Sequence, residues 1–222
     1  MNLPRKLAAE FLGTAFLLAI VVGSGIMGEN LSNGNAAIAL LANSIATGAG
    51  LVFLIYGFVD ISGAHFNPAV TLSEALRGNI KITEGFYYVS AQISGAFFGV
   101  AIANLMFELP IFFTSNKIRA GSSQFLSEFT ATFGLIMIIR LGVKFHTHLI
   151  GMLVAAYITA AYWFTSSTSF ANPAVTLARS LSNTFAGINP KNIPMFVIAQ
   201  ILGAFAATLF FNWLLQEEKR ND

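Results

Sequence analysis

Asn67-Pro68-Ala69-Val70-Thr71-Leu72 returns letter for letter as Asn172-Pro173-Ala174-Val175-Thr176-Leu177 in the other half of the chain. Asparagine is a favoured helix N-cap, and proline is favoured at the first helical position, where its missing N–H costs nothing. Each copy therefore starts a helix. From Asn67 to about Leu76 is roughly ten residues, or ~15 Å at ~1.5 Å per residue. That is half of a hydrocarbon core of roughly 30 Å, so the copies read as half-helices rather than spans.

The surrounding sequence is that of a membrane protein. Of 222 residues, 55% are apolar and only 10% charged, and the mean hydropathy is +0.70; a soluble domain carries about 25% charged residues. A formal charge of +2 argues against a nucleic-acid partner. The chain has no cysteine, so disulfides and thiolate metal sites are excluded. Its three histidines lack metal-ligand spacing, and neither a cofactor motif nor a nucleophile–base set occurs. No metal, cofactor or enzymatic activity is expected.

About 20 apolar residues span a bilayer as a helix. Six runs qualify: Leu7–Met27, Ala36–Val59, Gly85–Phe107, about Phe125–Val143, about Leu149–Ser166 and Ile193–Leu215. The first is too long for a signal-peptide core and lacks a convincing cleavage site. The tail Gln216–Asp222 is charged and expected to be solvated. Glu10-Phe11-Leu12-Gly13-Thr14 parallels Glu128-Phe129-Thr130-Ala131-Thr132, and Ala91-Gln92-Ile93-Ser94-Gly95-Ala96 parallels Ala199-Gln200-Ile201-Leu202-Gly203-Ala204. Each half thus holds three spans, with its hexapeptide between the second and third. Three is odd, so the second half enters the membrane from the opposite side, as inverted-repeat transport folds do. The reading is one all-α membrane domain, with repeats of about 1–115 and about 120–222. A cytoplasmic N-terminus would put Arg5, Lys6, Arg77, Lys81, Arg140, Lys144, Lys219 and Arg220 inside, against Lys117, Arg119, Arg179 and Lys191 outside. The positive-inside rule therefore favours two cytoplasmic termini in the plasma membrane.

Half-helices entering from opposite faces meet N-terminus to N-terminus at the midplane. Their dipoles put roughly half a positive charge each at that point, repelling cations and protons. Ser62–Phe66 and Ser167–Ala171 become non-helical backbone at membrane depth, which is tolerated where it is buried in protein or lines a wet cavity. Their carbonyls then form a ladder of acceptors. This physics points to a pore for uncharged solutes. A water-selective channel and an ion-coupled secondary transporter are the rival readings; for the latter, Glu10 and Glu128 are the candidate coupling carboxylates. Gly95 with Gly99, and Gly203 with Ala207, are small-xxx-small steps for close helix packing.

Ser62-Gly63-Ala64-His65-Phe66-Asn67-Pro68-Ala69-Val70-Thr71 and Asn172-Pro173-Ala174, with the Glu10/Glu128 and Gln92/Gln200 pairs, resemble the aquaporin and glycerol-facilitator family along nearly the whole chain. The resemblance implies six tilted transmembrane helices and two re-entrant half-helices around one pore per subunit, in a homotetramer. It also implies that Asn67 and Asn172 donate amides into the pore centre and that His65 sits at the cytoplasmic constriction. Glu10 and Glu128 would then brace the re-entrant loops.

One position departs from the family pattern. Most such channels carry arginine directly after the second Asn-Pro-Ala; here it is Val175. Counting by the family's offsets puts the other outer-constriction positions at Thr47, Ala160 and Ser169, a small, uncharged set. A slip of two residues would substitute Tyr162 for Ala160 and narrow the opening. A guanidinium ~5 Å from a passing cation, at effective dielectric ~20, repels it by roughly 3 kcal/mol. Its loss is worth about a hundredfold in cation leak. Arg179, four residues on, either returns charge to the outer mouth or snorkels to headgroups. The set resembles family members that pass trivalent arsenic and antimony hydroxides. Arsenite and antimonite are therefore the expected solutes, with glycerol, urea and water.

Overall fold

The computed structural model describes residues 1–216. Most of the charged tail, with Lys219 and Arg220 of the charge count, lies outside the described residues. The chain forms helices α1 (Leu3–Leu31), α2 (Ala36–Ser62), α3 (Pro68–Leu76), α4 (Ile82–Met106), α5 (Ser122–Phe145), α6 (Ile150–Phe164), α7 (Pro173–Arg179) and α8 (Ile193–Leu214). Short 3₁₀ turns at Thr147–Leu149 and Pro190–Asn192 lead into α6 and α8. Among the described residues, six helices are long and apolar enough to cross a membrane; α3, of 9 residues, and α7, of 7, are not. The protein is an integral, multi-pass membrane protein.

Helices run past the apolar runs because capping, rather than hydropathy, sets their ends. Asn2 accepts the Arg5 N–H and opens α1 well before Leu7. Asn35 accepts the amides of Ala37 and Ile38 to open α2, which Gly63 ends in the left-handed region at φ 88°. Large apolar side chains such as Phe16, Phe53, Phe86, Phe98, Leu209 and Trp213 stand exposed, as they would against lipid.

The halves match element for element. α1 packs along α4, and α5 along α8; α2 and α6 meet across the repeat boundary. The small residues explain the closeness of these seams. A Cβ at Gly95 or Gly99 would strike the carbonyls of Phe11 or Ala15 on α1, and one at Gly203 would strike the carbonyl of Phe129 on α5. The half-helices interlock across repeats: α3 packs on α8 as well as on α4, and α7 on α4 as well as on α8. A Thr208 hydroxyl bond to Ser73, 2.7 Å, ties α8 to α3.

Candidate functional site

Each re-entrant loop is pinned by one carboxylate. Glu10 is fully buried; its Oε1 accepts the His65 N–H at 3.0 Å and the Ser62 hydroxyl at 2.6 Å. Its Oε2 accepts the Phe66 N–H at 2.7 Å and the Gln92 amide at 2.8 Å. Glu128 repeats this, accepting the N–H groups of Phe170 and Ala171, both at 2.9 Å, and the Gln200 amide at 2.6 Å. Both glutamines also donate back to the preceding half-helix, at Thr71 and Thr176. Such anchoring is required, because Ala64, Phe66, Thr168, Ser169 and Ala171 are all held at positive φ. Each costs of order 1–3 kcal/mol and persists only where its surroundings over-determine it.

The loops deliver Asn67 and Asn172 to one point. The Asn67 Oδ1 accepts the Ala69 N–H at 2.9 Å, and the Asn172 Oδ1 accepts the amides of Ala174 and Val175 at 3.0 and 3.2 Å. Capping thus fixes which way each side-chain NH₂ faces. Asn67 spends one N–H on the Ala171 carbonyl at 2.7 Å, and Asn172 spends one on the Phe66 carbonyl at 2.8 Å. An amide NH₂ carries two N–H donors, so one remains on each, and both residues line a cavity of about 390 Å³. The cavity is lined by apolar residues that include Leu51, Ile55, Leu135, Val154 and Ile158, together with Gly63 to Phe66 and the two asparagines. It reaches from Arg77, Asn79 and Thr147 at the face where α1 starts and α8 ends to Thr47, Tyr162 and Arg179 toward the opposite face.

His65 also lines the cavity, its Nδ1 3.1 Å from the Thr71 hydroxyl and its ring 5.2 Å from that of Tyr88. Toward the far end Thr47, Ser169 and Val175 also line the cavity. Ala160 does not. It is exposed on the outer surface of α6, and Tyr162 takes its place in the lining, 3% exposed and 3.2 Å from the Thr47 hydroxyl. Two residues turn a helix by ~200°, so the expected offset pointed to the wrong face. The Ser169 hydroxyl, buried in the lining, has no protein hydrogen-bond partner.

Two arginines complete this end. Arg179 does not snorkel: it is 2% exposed, its guanidinium carbon lies 3.4 Å from the Phe170 ring centroid, and its Nε donates to the Ala186 carbonyl. The sequence marks Arg119 only as an outer charge. The connection between repeats runs beside the segment after α7, through bonds from Phe113 to Leu181, from Ser115 to Ser180 and from Asn189 to Lys117. This turns Arg119 inward, where it donates to the carbonyls of Gly187 and Ser167, each at 3.0 Å. Lys117 donates to the Phe185 carbonyl at 2.6 Å. Burial, then the charges of Arg119 and Arg179, push its ammonium down to about 8, while burial brings Arg119 to about 10.

Six membrane-crossing helices and two inward half-helices capped by paired asparagines define a membrane-channel fold. A Major intrinsic protein family model matches residues 1–166 and 144–222. The chain belongs to that family. It is 54% identical over 215 residues to the aquaglyceroporin AqpS of Rhizobium meliloti, covering 97% of this chain and 92% of that one. It is 31% identical to the probable aquaporin AqpM of Archaeoglobus fulgidus, over 98% and 99% of the two chains. Identity to the aquaporin NIP1-1 of Arabidopsis thaliana is 30%, over 97% and 75%. The X-ray structure of the aquaglyceroporin from Plasmodium falciparum superposes with a TM-score of 0.73 at 20% identity, over 95% of this chain and 96% of that one, a likeness in fold.

Proposed function

We propose that the protein is a passive channel for small uncharged solutes, passing glycerol and metalloid hydroxides such as arsenite and antimonite, with urea and water. The observation that carries this reading is the cavity running past Asn67 and Asn172, lined largely by apolar side chains with these amides, each keeping one free N–H, among them. A solute with several hydroxyls can keep its hydrogen bonds on the polar groups while its carbon or metalloid face slides along the apolar side chains. An outer ring of Thr47, Tyr162, Ser169 and Val175 favours solutes larger than water, because no guanidinium occupies position 175. Tyr162 makes that ring narrower and more polar than alanine would. Its hydroxyl, with those of Thr47 and Ser169, suits a trihydroxy solute. His65 forms the constriction at the opposite end.

Ion-coupled transport is disfavoured by the bonding of Glu10 and Glu128. Their oxygens are taken up by loop amides and glutamine side chains, so they brace loops rather than carry protons. The termini are assigned to the cytoplasm of the cell, the membrane to the plasma membrane, and the assembly to a homotetramer with one pore per subunit. Stopped-flow light scattering on proteoliposomes with a panel of neutral solutes tests the channel reading, and arsenite uptake tests the substrate. Arsenite entry no faster than into empty vesicles would rule out the metalloid assignment. Val175→Arg should reduce glycerol flux by narrowing the ring.

A further inference from the structure

The outer end of the cavity holds two arginines that make no ion pair among the described residues. Arg179 sits one helical turn outward from Val175 and lines the cavity. Arg119 lies behind it, 9% exposed, its guanidinium carbon 5.0 Å from the same Phe170 ring. Every partner of the two is neutral: the Ala186, Gly187 and Ser167 carbonyls, the Thr168 hydroxyl and the ring face. Among the described residues the ion pairs are Lys6–Glu84 and Arg77–Glu74, both toward the other face. Glu128, the carboxylate whose charge acts on both arginines, is bonded instead to the Phe170 and Ala171 N–H groups and the Gln200 amide, and Glu29 accepts the Phe185 N–H. A buried charge is ordinarily matched by a counter-ion. Here carbonyl dipoles and an aromatic face hold two guanidinium groups in place without a direct carboxylate partner, and Arg179 of the two lines the passage.

We propose that Arg179, backed by Arg119, is the cation barrier of the outer mouth, displaced one turn outward from position 175. This rests on the channel reading above. It separates two tasks: the ring of Thr47, Tyr162, Ser169 and Val175 sets the width, and the arginines above it set the charge selectivity. A wide ring can then pass bulky neutral hydroxides without admitting sodium.

The test reconstitutes the full chain in proteoliposomes and compares glycerol permeability with sodium entry, read by an entrapped fluorescent indicator. Arg179→Gln should raise the sodium-to-glycerol permeability ratio by about tenfold or more, and Arg119→Gln by less. Arg179→Lys should keep the ratio low, and Val175→Arg added to Arg179→Gln should restore it. A double Arg119→Gln/Arg179→Gln variant that passes glycerol and still excludes sodium would overturn the proposal, leaving exclusion to the central half-helix dipoles. Loss of glycerol flux in Arg179→Gln that Arg179→Lys does not recover would make Arg179 a packing residue, which also overturns it. Wild-type vesicles no more permeable to glycerol than empty ones would sink the channel reading instead.

Discussion

Asn67 donates its side-chain amide to the carbonyl of Ala171 at 2.7 Å, and Asn172 returns the bond to Phe66 at 2.8 Å. Each half of the chain thus fixes the loop of the other. Asn172→Ala removes this link, the cap of α7 and a pore donor together. Loss of the cap alone costs about 0.5–2 kcal/mol. The variant should unfold at lower temperature in detergent and conduct glycerol more slowly than wild type.

Glu128→Gln replaces an acceptor of three N–H groups with an amide whose NH₂ must face one of them. One or two buried donors are left unsatisfied, at about 1–3 kcal/mol each. The loop holding Thr168, Ser169 and Ala171 at positive φ should relax. Thermal denaturation should report the loss, and Glu10→Gln should behave alike, since the two carboxylates are bonded in parallel.

Gly99→Leu forces a side chain into the Ala15 carbonyl across the α1–α4 seam, whereas Gly57 has open space around it. The first substitution should abolish recovery of folded protein from membranes. Gly57→Leu should leave the yield near wild type, as gel filtration of solubilised protein would register.

Tyr162→Ala removes the ring that took the place expected for Ala160 and frees the Thr47 hydroxyl. Permeability to solutes larger than glycerol, such as five-carbon polyols, should rise relative to water. An unchanged polyol-to-water ratio would remove Tyr162 from the outer ring.

Lys117 titrates near pH 8 in the fold, against 10.5 for an ordinary lysine. The folded state thus binds fewer protons than the unfolded chain between those values, and stability rises with pH there. The penalty for burying the charge is full below about pH 8 and is relieved toward 10.5. Lys117→Met, which has no charge to bury, should gain less than wild type in denaturation midpoint between pH 8 and 10.

The fold was legible because duplication and hydropathy are local signals. Two identical hexapeptides and the paired Glu10/Glu128 and Gln92/Gln200 needed no three-dimensional information. The outer ring was harder to read. Thr47, Ser169 and Val175 could be counted out along the chain, but Ala160 could not be told from Tyr162 without the rotation of α6. Arg119 was further out of reach, since its position depends on pairing between the 113–117 stretch and residues beyond α7. The Phe170 ring beneath both arginines looked like one of 22 phenylalanines.

The crossed seating of the half-helices bears on how the protein is made. α3 needs α8 beside it, and α8 leaves the ribosome well after α3 does. Until that span is inserted, the first re-entrant loop, with Ala64 and Phe66 in strained backbone, has Glu10 to brace it but only part of its platform. The polypeptide must therefore hold a half-built wall open during synthesis and close it only when α8 is inserted. A chain truncated before α8 would lose its first half-pore along with its second.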